Sequence, residues 1–414
     1  MPAIDTPLNP VAPRERIPAL DILRGFALLG ILIMNVQFFA MPDAAYFNPT
    51  AYGDLTGLNR WVWIFGHIVA DQKFMTLFSM LFGAGILLVS QRAADREQRP
   101  AGLHYRRIFW LFVIGMLHAY LLWAGDILVA YALCGVVVYL LRNREAKTLL
   151  ILGVLSLAVG SLMSIMGGLS MPFWPPEAVQ QNMQRWSPSA ATIQTQLTAY
   201  RGGWLDQMGE RVPATIAMQT FGFFFWASWR AGGLMLIGMA LYKWGVLTAE
   251  RSDRFYVWLT TAGLAVGLPL VIWGIVRHFQ AGWTMEYSMF FGSQFNYWGS
   301  LFVSLGWMGT VMLITRSGVL PALRERLAAV GRTALSNYLL QTILCTVIFY
   351  GHGLGLYGHV ERWGQILIVL GIWGLQLVIS PWWLSRYRFG PAEWLWRSLT
   401  YWRRQRMVVK GATA

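Results

Sequence analysis

Apolar stretches close to 20 residues long recur along the whole chain, and the segments between them collect Arg, Lys, Pro, Gly and Asp. At about 1.5 Å rise per residue, such a stretch matches the roughly 30 Å hydrocarbon core of a bilayer. The pattern predicts ten helical spans, at 22–42, 74–91, 107–123, 127–141, 148–170, 214–243, 255–276, 297–315, 333–350 and 362–384. The fold class is therefore all-α: a polytopic helical bundle with both termini on the cytoplasmic side. The 214–243 stretch exceeds one perpendicular crossing and carries Arg230 in its middle, so it reads as an interfacial approach helix followed by one crossing.

The same pattern divides the chain into a cytoplasmic segment 1–21, a five-helix half 22–170, a long extracytoplasmic loop 171–213, a second five-helix half 214–384 and a basic aromatic tail 385–414. A second extracytoplasmic segment, 43–73, is also too long for a turn. Within it, Leu58 to Asp71 has amphipathic spacing, with Trp61, Ile64, Phe65 and Ile68 on one face, and brings His67 toward the bundle.

Composition strengthens the membrane reading. Hydrophobic residues make up 56% of the 414 positions and charged residues 13%, too few to solvate a soluble protein of this size. Many of the 22 Trp fall beside span ends, as an aromatic belt requires. The net charge of +14 follows from topology: of the 33 Lys and Arg, 25 fall on the inner side and eight elsewhere. Arg403, Arg404, Arg406 and Lys410, behind an aromatic helix, suit anionic lipid, and a nucleic-acid partner is disfavoured. Oligomeric state is not legible. Cys134 and Cys345 lie inside spans without metal or disulfide spacing, so no metal is expected.

Ionisable residues inside spans are the natural candidates for function, because each is costly in hydrocarbon. Arg24 and Asn35 are 11 residues apart on the first span, hence on one face. They suit a ligand reaching inward from the cytoplasmic mouth, with Arg24 on a phosphate; equally, Arg24 suits a pair with Asp21, and Asn35 interhelical contact. His67 stands four residues before Asp71, a spacing that lets the carboxylate orient an imidazole acting as general base. His118 and Asp126 flank a tight turn, and a shared face is open to them. Asn337 and Gln341, at i and i+4, suit substrate contact or helix packing. Arg230 calls for a cavity or a counter-ion, with Glu286 the nearest candidate. His104 reads as a loop residue, and His352 and His359 have no metal-ligand neighbours. There is no Walker loop, dinucleotide fingerprint or nucleophile elbow.

Four motifs in order complete the picture: Leu20-Asp21-x-Leu23-Arg24-Gly25-Phe26-Ala27-Leu28-Leu29-Gly30; Lys73-Phe74 with Leu77-Phe78-Ser79-x-Leu81-Phe82-Gly83-x-Gly85; Gly331-Arg332-x-Ala334-Leu335-Ser336-Asn337-Tyr338-x-x-Gln341; and Gly390-Pro391-x-Glu393-Trp394-Leu395-Trp396-Arg397. Together they resemble the YeiB-like bacterial inner-membrane proteins, whose C-terminal half is a domain of unknown function. The resemblance implies a multi-pass protein of the bacterial cytoplasmic membrane. That family is in turn distantly similar to transmembrane acyltransferases, which use a cytoplasmic acetyl-CoA or other acyl-CoA donor. The sugar O-acetylating members place a His where Asn35 stands; the heparan-type acetyltransferases carry Asn there and a His before the second span. The resemblance thus implies His67, oriented by Asp71, as base, with Arg24 and Asn35 on the donor. The rival expectations are a carrier for a small anionic or lipophilic solute, with Arg230, His118 and Asp126 along its path, and a non-catalytic assembly protein.

Overall fold

The computed structural model describes residues 16–95 and 100–409. Most of the 1–21 segment, and Lys410, lie outside the described residues. In chain order the helices are α1 (Pro18–Ala40), α2 (Ala44–Phe47), α3 (Gly57–Val69), α4 (Lys73–Ala94), α5 (Pro100–Leu121), α6 (Leu128–Val138), α7 (Ala146–Ser170), α8 (Pro176–Trp186), α9 (Ala190–Arg201), α10 (Met208–Ala217), α11 (Ser228–Lys243), α12 (Asp253–Gln280), α13 (Ser293–Ser317), α14 (Pro321–Arg332), α15 (Ala334–Phe349), α16 (Arg362–Arg386) and α17 (Pro391–Tyr401). The only strand-like pairing among the described residues is an isolated bridge between Tyr387 and Val408.

The chain is an all-α polytopic helical bundle. Among the described residues, seven helical stretches are long and apolar enough to cross a bilayer: Pro18–Ala40, Gly57–Ala94, Ala146–Phe173, Met208–Lys243, Asp253–Gln280, Glu286–Ser317 and Arg362–Arg386. Leu128–Leu141 and Ala334–Phe349 are shorter apolar helices, and α5 carries Arg106 and Arg107 near its start. Each of the ten predicted segments is helical. Met208–Lys243 is unbroken: α10 and α11 are joined by a π-helical stretch, Met218–Ala227, that leaves Phe221, Phe224 and Phe225 exposed. The 171–213 segment is a cap built from α8, α9 and the start of α10.

The middle of the bundle is α1. Of its apolar stretch 72% is buried, against 22% for α16, which is why the one faces protein and the other lipid. It packs on α4, α13, α14, α15 and α16. Two motif glycines permit the tightest of these approaches: a Cβ on Gly25 would stand 2.0 Å from the Leu327 carbonyl oxygen, and one on Gly331 would stand 1.9 Å from that of Asp21. Only hydrogen side chains let the backbones of α1 and α14 meet. The buried apolar core runs through this crossing and outward along α4, α11 and α13.

Helix α14 brings α15 in at an angle, and α17 then folds back against them. The Glu393 carboxylate accepts from the amides of Leu335 (2.6 Å) and Ser336 (3.1 Å), while the Ser336 hydroxyl accepts from the amide of Ala392 (3.0 Å). Each helix caps the other's open first turn. That exchange ties the last two motifs together, and it seats α17 across the arginine-rich face of the bundle.

Candidate functional site

Between α1, α4, α5, α6, α14, α15 and α17 lies a cavity of about 280 Å³, opening on the arginine-rich face. Six arginines line it: Arg16, Arg24, Arg92, Arg107, Arg332 and Arg397. Among the described residues, two carboxylates do, Asp21 and Glu393. Asp21 is held by Arg24 at 2.9 Å, and Glu393 is committed to the amides of α15. Arg107 packs over the Trp396 ring, 4.8 Å from its centroid, and that indole donates to the Arg107 carbonyl. Arg397 packs over Phe389 in the same way. Burial, reinforced by neighbouring guanidinium groups, holds Arg16, Arg332 and Arg397 below the usual arginine range. Among the described residues, arginines outnumber carboxylates in the cavity lining, which makes the field there positive.

Deeper in, the walls turn apolar: Leu28 and Ile31 from α1, Phe78, Leu81 and Phe82 from α4, Leu111 from α5 and Ile127 and Leu128 at the start of α6, with Tyr131 and Tyr338 beside them. A pocket of this build takes an elongated ligand, anionic outside and apolar inside, with part of a large molecule left at the mouth.

One layer behind that floor stands a histidine–aspartate pair. His118, in the last turn of α5, places Nδ1 3.3 Å from Asp126, and both side chains are 1% exposed. Asp126 sits there because it caps α6, accepting from the amides of Leu128 (2.7 Å) and Val129 (3.3 Å). With Nδ1–H donated to the carboxylate, Nε2 keeps its lone pair and accepts from the Thr342 hydroxyl at 2.9 Å. The imidazole also packs 5.1 Å from the Tyr338 ring, which lines the cavity. A carboxylate-oriented imidazole with a lone pair on its second nitrogen has the chemistry of a general base.

The other sequence candidates fall in three places. Arg24 lies on the cavity wall and keeps its pair with Asp21. Asn35 is on the stripe of α1 that carries Arg24, Leu28 and Ile31, but the cavity ends at Ile31; Asn35 is half-buried, outside the lining.

His67 and Asp71 meet as the spacing predicts, at 3.1 Å, yet in a separate network. Asn296 donates to Asp71 at 2.8 Å, the Lys73 ammonium donates to Asn296 and to the His67 carbonyl, and His67 stacks on Trp63. None of these residues lines the cavity. Arg230 is wholly buried nearby, donating to the Tyr297 carbonyl, Thr76 and Ser300 and packed over the Tyr297 ring. Glu286 is not its counter-ion. It is exposed and lines a larger, open groove of about 810 Å³ beside α8, on the opposite face.

Asn337 donates to Thr333 and Ser380, and Gln341 donates to Gln376, which in turn donates to the Asn337 carbonyl; these amides lock α15 to α16. His104 is a buried helix residue on the cavity wall, stacked on Tyr139 at 4.0 Å, rather than a loop residue. Sequence reasoning missed Arg16, Arg92, Arg107, Arg332, Arg397 and Thr342. For the arginines the signal was present and had already been spent on topology.

The chain matches the family described as Protein of unknown function (DUF418) over residues 241–403. Over 93% of its length it is 33% identical to uncharacterized protein YeiB of Escherichia coli (strain K12), covering 96% of that protein. The chain belongs to the YeiB-like family. A second member is uncharacterized protein YxaH of Bacillus subtilis (strain 168), 32% identical over 95% of this chain and 96% of its own. An uncharacterized 39.9 kDa protein of Bacillus acidopullulyticus is 26% identical over 97% of this chain and 99% of its own. The DUF418 match covers Arg332, Tyr338, Thr342 and Arg397 but neither Arg24 nor His118. In this YeiB-like protein the cavity is thus built jointly by the matched C-terminal part and the helices before it.

Proposed function

We propose that this protein is a membrane-embedded acyltransferase, taking its acyl group from an acyl-CoA that enters at the cytoplasmic face and passing it to a hydroxyl or amine acceptor. One observation carries the reading: six guanidinium groups gather at the mouth of a cavity whose apolar depth reaches Tyr338, the ring against which His118 packs. Guanidinium groups suit the diphosphate and phosphate monoester of a coenzyme A, which together carry about four negative charges. Its flexible pantetheine arm matches the narrow apolar depth.

The chemistry follows from the pair. The acceptor hydroxyl replaces Thr342 at Nε2 of His118 and gives up its proton there as its oxygen attacks the thioester carbonyl. The carbon–sulfur bond then breaks, the electron pair leaves on sulfur, and the imidazolium returns the proton to the departing thiol. Asp126 holds the tautomer and steadies the imidazolium between these steps. The base is therefore assigned to His118, while His67, Asp71 and Lys73 serve the packing of α3, α4 and α13.

Calorimetry with acetyl-CoA on the detergent-purified protein tests the donor site. Binding that weakens in Arg24→Ala and Arg332→Ala and persists in His118→Ala supports it. Absence of binding to the unaltered protein overturns it and returns the carrier to first place.

A further inference from the structure

The helix that closes the cavity has two unlike sides. On its inward stripe α17 presents Glu393, Trp396, Arg397, Thr400 and Tyr401, spaced 3, 4, 7 and 8 residues from the first, and all five line the cavity. Its outward side carries Leu395, 47% exposed, and Trp402, which ends the helix in left-handed backbone, is 75% exposed. Two large apolar side chains on the outer surface of a membrane protein, next to the end of α16, find their natural solvent in the acyl–headgroup boundary.

Beyond α17 the chain turns back and is pinned. The Arg388 amide donates to the Met407 carbonyl (2.8 Å), the Val409 amide to that of Arg386 (3.0 Å), and the Trp394 indole to that of Gln405 (2.8 Å). This holds Arg403, Arg404 and Arg406 outward; all three are exposed, and none forms an ion pair among the described residues. Beside them Trp382 is half exposed under Arg386, and Arg106 lies over Trp402. Cations stacked on aromatic rings at headgroup depth complement phosphate-bearing lipid.

We infer that the outer face of α17 and its returning tail form a binding surface for anionic phospholipid of the adjacent leaflet, so that bound lipid holds the helix walling the cavity in place. This goes beyond the acyl-transfer reading and does not rest on it: the inner and outer sides belong to one helix, whatever the cavity takes.

The test uses the full chain in lipid nanodiscs of phosphatidylcholine alone or with phosphatidylglycerol. Trypsin cleavage after Arg403 and Arg404 is followed by intact mass and normalised to cleavage after Arg254, which is exposed on the same face. Anionic discs should slow the tail cleavage on the order of tenfold, and high salt should erase the difference.

A fluorophore on Leu395→Cys provides the second readout, since Cys134 and Cys345 are buried. It should move to a less polar environment in anionic discs, and the added substitutions Arg403→Gln, Arg404→Gln and Arg406→Gln should abolish that response while leaving the signal in neutral discs unchanged. Equal normalised cleavage in both lipids, or a label that stays in water in both, overturns the inference. Neither readout involves an acyl-CoA, so this outcome and the fate of the donor site are independent.

Discussion

Glu393 and Leu335 stand 58 residues apart in sequence and 2.6 Å apart in space, the carboxylate of one accepting from the amide of the other. The N-terminal cap of α15 is thereby supplied by a different helix, α17, instead of by its own preceding residue. Thr333, in the position before α15, bonds backward to Ala329 and leaves the cap to Glu393. Replacing Glu393 by Ala removes three hydrogen bonds at once and should cost about 2–4 kcal/mol, given charge-assisted bonds to orphan amides. Gln keeps an acceptor oxygen and should recover about half. Thermal unfolding in detergent measures both; equal losses would mean that packing, not capping, holds α17.

Acetyl-CoA affinity should fall roughly tenfold or more in Arg332→Ala, the loss expected of a charge-assisted bond to phosphate. The same substitution at Arg230 should leave affinity within about twofold, since that guanidinium donates to groups inside the bundle and does not line the cavity. It should instead lower stability by about 3–5 kcal/mol, because the bonds to the Tyr297 carbonyl, Thr76 and Ser300 are lost together. Titration calorimetry and thermal unfolding on the two variants separate these effects.

In an assay of acyl transfer to water or to an added acceptor, His118→Ala should lower turnover by about 10²- to 10⁴-fold with little change in donor affinity. Asp126→Asn should lower it less while flattening the pH profile, because the amide no longer fixes the tautomer. If His67→Ala proved the more damaging to turnover with the fold intact, the base would have to be reassigned.

The α1–α14 crossing gives a steric prediction. Gly25→Ala sets a methyl 2.0 Å from the Leu327 oxygen and should destabilise by about 2 kcal/mol or more, since backbone, not a side chain, must give way. Gly374→Ala on α16 meets nothing within 4 Å and should be neutral or slightly stabilising. Similar melting shifts in the two would contradict the close approach.

Asp43, between α1 and α2 and outside the spans, gives a pH signature. Burial, and then the charge of Glu210, push its carboxyl up from 3.8 to about 7. The native state therefore keeps a proton that the unfolded chain releases, and the stability it contributes is full below pH 4 and lost as pH rises toward 7. Asp43→Asn should flatten that slope and raise the melting temperature at pH 8. A melting temperature that climbs with pH over this window would reverse the sign.

How much of this was legible in the sequence divides along a physical line. Segments set by apolar length were legible, because hydrocarbon thickness imposes a period that every span repeats; all ten are helical. Pairings within one or two turns were also within reach: Arg24 with Asp21, His67 with Asp71, and His118 with Asp126 across a tight connection.

What escaped depends on three-dimensional convergence. Arg16, Arg92, Arg107, Arg332 and Arg397 come from five separate parts of the chain, and each was explained singly by the side of the membrane on which it lies. Their convergence appears only when they share a space. Thr342 carries no charge to mark it within its helix, and the partner of Glu393 lies 58 residues away.

The meeting of Gly25 with Gly331 also constrains biogenesis. A helix made first has its tightest partner more than three hundred residues downstream, so during synthesis α1 waits in the bilayer with Arg24 and a bare glycine groove uncovered. Premature pairing of that groove with another small-residue helix is a standing hazard. The insertion machinery must therefore shelter α1, or let it sample weak contacts, until α14 emerges; a truncated chain ending before residue 321 should be a ready substrate for membrane quality-control proteolysis.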